Sequence, residues 1–233
     1  MPVLKFAQLS PAPRSAFTTS RCATASKLSA WFCHHSRNWK SRKLDELGIS
    51  RIEAGFPKVS PEDGEAITLM HKADLKAELW GFSRAVRGDV EELVRVGLSA
   101  TVIESPTSDI KLKAYGLSCE EVLKRVTDAV SFARQNGITV AYFAVDGTRT
   151  ELDFLKRVYL AALDAGASEI VVVDNIGACG PEAVEILVRE VCQWVGPNVP
   201  VHYHGTMTSG WPRPALWQPY AAGRPGSGAR STA

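Results

Sequence analysis

His202 and His204 stand two residues apart at the end of an apolar run. In an extended strand alternate residues share a face, so both imidazoles point the same way. Two rings so placed can hold a single metal ion, or they can be ordinary barrel-interior histidines; the spacing leaves both readings open. Other residues able to do chemistry also follow short apolar runs: Glu53 to Pro57, Ser83 and Arg84, Glu104 to Asp109, Asp146 to Arg149, and Asp174 with Asn175. Each has a plainer alternative. Ser60 and Ser118 read as helix N-caps, Asp174–Asn175 as turn chemistry, and Arg84 and Arg149 as either surface charges or groups facing a site.

The elements that would position these residues alternate. Strands are expected over Arg51–Phe56, Ala77–Phe82, Ala100–Ile103, Thr139–Val145, Glu169–Val173 and Val199–Tyr203, and helices over Glu62–His71, Asp89–Val96, Cys119–Asn136, Glu151–Ala165 and Pro181–Val195. In the fourth helix Leu152, Leu155, Tyr159, Ala162 and Leu163 recur at helical spacing, Asp153, Arg157 and Asp164 take the wet face, and Gly166 closes it. Ile170–Val173 lacks polar alternation, as a strand covered on both faces does. Six βα-type strands in one order indicate an α/β fold, an incomplete (β/α)8 TIM barrel, whose chemistry belongs at the C-terminal ends of its strands.

Charge divides the chain differently. All 25 Asp and Glu lie between Asp45 and Glu190, where sixteen Lys and Arg leave a net −9, while the overall charge is +2. The basic ends are rich in Ser, Pro and Arg and have no helical or strand period, which argues against nucleic acid as a partner. No run approaches the ~20 apolar residues of a membrane span. Cys22, Cys33, Cys119, Cys179 and Cys192 show no paired spacing, the usage of a reduced, cytoplasmic protein. The acid-free N-terminus has the composition of an organelle transit peptide, but Trp31, Phe32, Cys33, His34, His35 and Trp39 are unusual there.

The run Leu44–Pro57 (L-D-E-L-G-I-S-R-I-E-A-G-F-P) resembles the second strand of the metal-dependent isopropylmalate synthase and homocitrate synthase family, which also includes hydroxymethylglutaryl-CoA lyase. Phe82–Arg84, Thr107–Ile110, Asp146–Thr150, Asp174–Gly177 and Val201–Gly205 continue the resemblance in order. It implies an acyltransferase of amino-acid biosynthesis that condenses acetyl-CoA with a 2-oxo acid. A divalent ion (Mg, Mn or Zn) would polarise the oxo group. It also implies Glu53 and Arg84 as catalytic, Thr107, Lys111, Asp146, Arg149 and Asn175 as substrate-binding, His202 and His204 as metal ligands, and a homodimer. A lyase or aldolase is the rival within the family.

Two family motifs are missing as written: R-[DE]-G-[EQ]-Q on strand one, which supplies a metal-binding Asp, and H-x-H-N-D. Back-translating Phe17–Lys27 with permitted codons and reading from the third nucleotide yields H-D-V-A-M-R-D-G-E-Q, and the same operation from Gly205 yields H-N-D-F-G-L-A-T-A. We therefore expect irregular, out-of-frame segments at 1–42 and 206–233 around a partial barrel at 43–205. That reading accounts for the missing acids and for Trp31, Trp39, Trp211 and Trp217 at the ends. It makes His204 the first metal ligand, puts the second where Thr206 stands, and leaves two imidazoles without their carboxylate, a poor site for a hard divalent ion. Strands one and eight would be absent, the sheet edges open, and the literal chain a non-catalytic fragment of a decayed gene.

Lys111 follows Ile110 where the family commonly has a His, and it suits either a substrate carboxylate or solvent. Phe143 and Val145 replace polar contacts usual near Asp146, and Asn175 follows Asp174 in place of Thr.

Overall fold

The computed structural model describes residues 41–206 in full and, outside them, the backbone of Leu4–Gln8 and Phe17–Ser20. In chain order the elements are β1 (Leu4–Gln8), β2 (Phe17–Ser20), α1 (41–46), β3 (Arg51–Gly55), α2 (Pro61–His71), β4 (Glu78–Arg84), α3 (Arg87–Arg95) and β5 (Ala100–Pro106). They continue with α4 (Asp109–Tyr115), α5 (Cys119–Gln135), β6 (Thr139–Val145), a 3-10 turn at Gly147–Arg149, α6 (Leu152–Asp164), β7 (Glu169–Asp174), α7 (Pro181–Val195) and β8 (Val201–Gly205). The six expected strands and five expected helices are all present, within a few residues of their expected bounds.

Strands β2 to β8 are parallel neighbours in sequence order. The ring is nevertheless closed, which corrects the expectation of open edges. β2 occupies the place of a first barrel strand, and β1 fills the remaining gap by pairing antiparallel with both β2 and β8. Closure satisfies backbone groups that an open edge would expose. Cys22, Cys33, the four terminal tryptophans and residues 207–233 lie outside the described residues.

Local chemistry explains the helices. Ser60 and Ser118 are N-caps as expected, and Ser118 forms a capping box with Glu121. One core layer lies between sheet and helices, including Ile67, Leu93, Val126, Leu155 and Val188. A second fills the barrel with Trp80, Val102, Ala141, Phe143, Val171 and Val173. No helix among the described residues is long and apolar enough to cross a membrane.

Candidate active site

The mouth of the barrel is built from the C-terminal ends of β3 to β8. Glu53 sits beside an irregularity in the β3–β4 pairing that spans Glu53 and Gly55, and Gly55 takes φ +134°, a conformation open to glycine. Such irregularities re-aim side chains next to active sites. Burial, with the charge of Glu104 adding to it, pushes the Glu53 carboxyl up to about 8. Glu104, two strands away on β5, is pushed up by burial to about 7 even though Arg84 and Lys111 oppose the shift. Two carboxyls of raised pKa near one mouth can hold a proton close to neutral pH, as general acid–base work requires.

Arg84 ends β4 in register with Glu104. Its guanidinium donates to both carboxylate oxygens of Asp89, at 2.7 and 3.0 Å, and lies 5.5 Å from the centre of the Phe56 ring. Asp89 is only 2 % exposed, so this pair neutralises a buried charge. Asp146 is arranged likewise. It is fully buried, its backbone is left-handed at φ +66°, and its carboxylate accepts from Arg149 at 2.6 and 2.8 Å and from Ser108 Oγ at 2.5 Å. Burial pushes its carboxyl up, but the Arg149 and Ser108 bonds outweigh this and hold it below the usual range. The Asp146 amide donates to Asn175 Oδ1 at 2.6 Å, so this one residue ties together the loops after β5, β6 and β7.

Thr107 hydrogen-bonds Thr150 at 2.7 Å and donates to the Val145 carbonyl at 2.9 Å. Asp174 accepts from the amides of Gly177 and Cys179 at 2.9 and 3.0 Å, fixing the following turn, as its turn reading anticipated. Lys111 lies at the start of α4, where its charge lowers both Glu104 and Asp146.

The two histidines face the barrel interior at different depths. His204, near the mouth, packs edge-on against Phe143 at 5.0 Å, and burial pushes it down to about 4, so it is neutral at physiological pH. His202 lies deeper, with Nε2 2.7 Å from Glu169. Glu169 also pairs with Arg51 at 2.8 Å, and Arg51 reaches Glu78 at 3.3 Å and stacks 4.7 Å from the centre of the Trp80 ring. Burial would raise Glu169, but His202 and Arg51 hold it down to about 2. A cavity of about 30 Å³ lies between this cluster and Glu53.

Among the described residues no three His, Cys, Asp or Glu converge as a metal site. The β2 sequence, F-T-T-S, has no carboxylate, Thr206 stands where the second ring of H-x-H-N-D would be, and His202 is directed to Glu169. The residues present therefore do not fit the divalent ion that the resemblance implies.

The geometry brings Glu53, Arg84, Thr107, Lys111, Asp146, Arg149, Asn175 and His204 to the same end of the barrel and leaves His202 below them. Asp89 and the Arg51–Glu169 pair were not foreseen, and Ser108, expected only as one of the residues after β5, holds the Asp146 carboxylate. Glu169 carried a signal, an acid opening an otherwise apolar run. Asp89 carried none beyond its place in the first turn of α3.

The sequence profile of the HMGL-like family matches residues 32–211. Homocitrate synthase AksA of Methanopyrus kandleri is 38% identical over 162 residues, 69% of this chain and 41% of that protein. The probable 2-isopropylmalate synthase of the same organism is 38% identical over 165 residues, 70% of this chain and 33% of the relative. The chain thus spans between a third and about two fifths of the length of these relatives. Among solved structures, the Bacillus subtilis HMG-CoA lyase superposes with a TM-score of 0.61 at 19% identity, over 70% of this chain and 58% of that one. An HMG-CoA lyase from Acinetobacter baumannii, in complex with coenzyme A and 3-methylmalate, gives 0.59 at 17% over 74% and 61%. Those structures share the barrel. Taken with the profile match, which covers most of the sequence, they show that this chain belongs to the HMGL-like family.

Proposed function

We propose that this chain carries the core of an acyltransferase barrel of the 2-isopropylmalate and homocitrate synthase type, which joins acetyl-CoA to a 2-oxo acid at the mouth. The observation that supports this best is the convergence of strand-end groups on one mouth in a chain 38% identical to such synthases. Lys111 receives the substrate carboxylate, Thr107 lines the site, and Glu53 with Glu104 holds and moves the proton released from the acetyl methyl group. Asp146, Arg149 and Asn175 set the loops, and Arg84 neutralises Asp89 at the rim. The free thiols Cys119, Cys179 and Cys192 suit a cytoplasmic protein. A homodimer is the assembly we expect.

We read residues 17–41 and 206–233 as out-of-frame translation, which removes the metal-binding carboxylate and second imidazole and leaves the literal chain catalytically silent. The test is release of free thiol from acetyl-CoA with a panel of 2-oxo acids and Mg, Mn or Zn. It compares the 233-residue chain with a version carrying both restored segments. Release by the restored version alone is the expected result. No release by either, or cleavage of a hydroxyacyl substrate without consumption of acetyl-CoA, overturns the synthase reading. Equal activity of the literal chain overturns the out-of-frame reading.

A further inference from the structure

Below the mouth, the barrel encloses a cavity of about 30 Å³. Arg51, Glu53, Glu169 and His202 border it together with Val102, Ala141 and Val171. The three apolar members belong to the layer that fills the barrel. With purely apolar walls such a space would stay dry, but four of its lining groups are ionisable.

Two of these groups lack a hydrogen-bond partner in the protein. His202 is 6 % exposed, and although its Nε2 lies 2.7 Å from Glu169, the contact is not aligned as a hydrogen bond and leaves that buried nitrogen unsatisfied. The Glu53 carboxyl forms no hydrogen bond among the described residues. Buried polar groups are nearly always hydrogen-bonded, and an internal water serves where the protein supplies no partner. A water requires roughly 10–15 Å³ and about two to four polar neighbours, and this cavity offers both. Because water both donates and accepts, it matches either tautomer of His202 and either form of Glu53.

We propose that this cavity is a binding site for one water molecule, which hydrogen-bonds both the Glu53 carboxyl and His202 Nε2. The water ties Glu53 to the Arg51–Glu169 pair beneath it. It enters past Arg51, whose side chain is 25 % exposed at the N-terminal end of the barrel. Glu53 is then hydrated from the face opposite the mouth and keeps that partner when a ligand covers the mouth. This holds whichever substrate the mouth takes.

The experiment is water-selective ROE spectroscopy on the 233-residue chain with isotope-labelled methyl groups. Water cross-peaks are expected at the methyls of Val102, Ala141 and Val171, and none at Val126 and Leu155 in the dry layer between sheet and helices. Ala141→Val fills the cavity and should abolish the signals at Val102 and Val171. The variant retains every lining group whose own protons exchange with solvent, so the loss assigns the signals to a water in the cavity. Far-UV circular dichroism establishes that the variant is folded; if it is not, Val171→Ile takes its place, with the signals read at Val102 and Ala141. Dry methyls at all three positions in the folded parent, or cross-peaks that persist in a folded, filled variant, overturn the site.

Discussion

Glu53 is the residue whose environment departs furthest from that of a solvated carboxyl near the mouth. Folding raises it from 4.5 to about 8, so its neutral form favours the fold. The contribution is whole below pH 4.5 and is lost as pH rises through about 8. Between about pH 6 and about pH 9 the protein should therefore lose stability, on the order of 2 kcal/mol from this residue. Glu53→Gln keeps the shape without the titration, so denaturant unfolding at the two pH values should show a smaller loss in the variant. Parallel losses in parent and variant would remove Glu53 from this role. The same reasoning explains why the sequence hid Glu104's importance: as one polar residue among several after β5, it is distinguished only by its neighbours Glu53, Arg84 and Lys111, which come from other strands and helices.

Among the elements, β4 and α3 show how closely helix and sheet fit. A Cβ added at Gly81 would lie 2.4 Å from Leu93 Cδ2 and 2.9 Å from Leu98 Cδ1, so α3 and the loop between it and β5 press directly on that backbone. Gly81→Ala should destabilise by about 1–3 kcal/mol, read from the urea midpoint. Gly88, in the first turn of α3, has nothing within 4 Å of an added Cβ, and Gly88→Ala should be neutral or stabilising by up to about 1 kcal/mol. A similar loss from both substitutions would contradict the packing. The long helices were legible because their apolar stripes repeat. α4 was not, since at seven residues it shows barely two turns, although its cap Ser108 and left-handed Gly116 were both present as signals.

At the scale of the whole molecule, Arg51, Glu78, Glu169 and His202 link β3, β4, β7 and β8 across the barrel interior. Removing the Glu169 charge leaves buried His202 without its carboxylate and Arg51, 25 % exposed, with Glu78 alone, so Glu169→Gln should cost about 1–3 kcal/mol in equilibrium unfolding. A loss below about 1 kcal/mol, the scale of an exposed pair, would show that the network is solvent-screened. Glu169's own contribution is present above pH 4.5 and lost as pH falls through about 2, because folding lowers its pKa. The parallel barrel was legible from the repeating apolar runs of β3 to β8. Its closure was not, because β1 and β2 lie in stretches without strand-like alternation. The pairing of β1 also depends on an edge of β8 nearly the full length of the chain away. The HMGL-like membership likewise rested on ordered motifs within 44–205, whereas the out-of-frame reading rests on codons.

The antiparallel β1 also orders events in time. Its partner Tyr203 lies 196 positions after Ala7, so the β1–β8 seam has to wait while the intervening chain emerges, roughly 10–40 s at a translation rate of about 5–20 residues per second. Through that interval the growing protein carries an unsealed hydrogen-bonding edge, and chaperone contact or mispairing has its longest opportunity at the start of the chain.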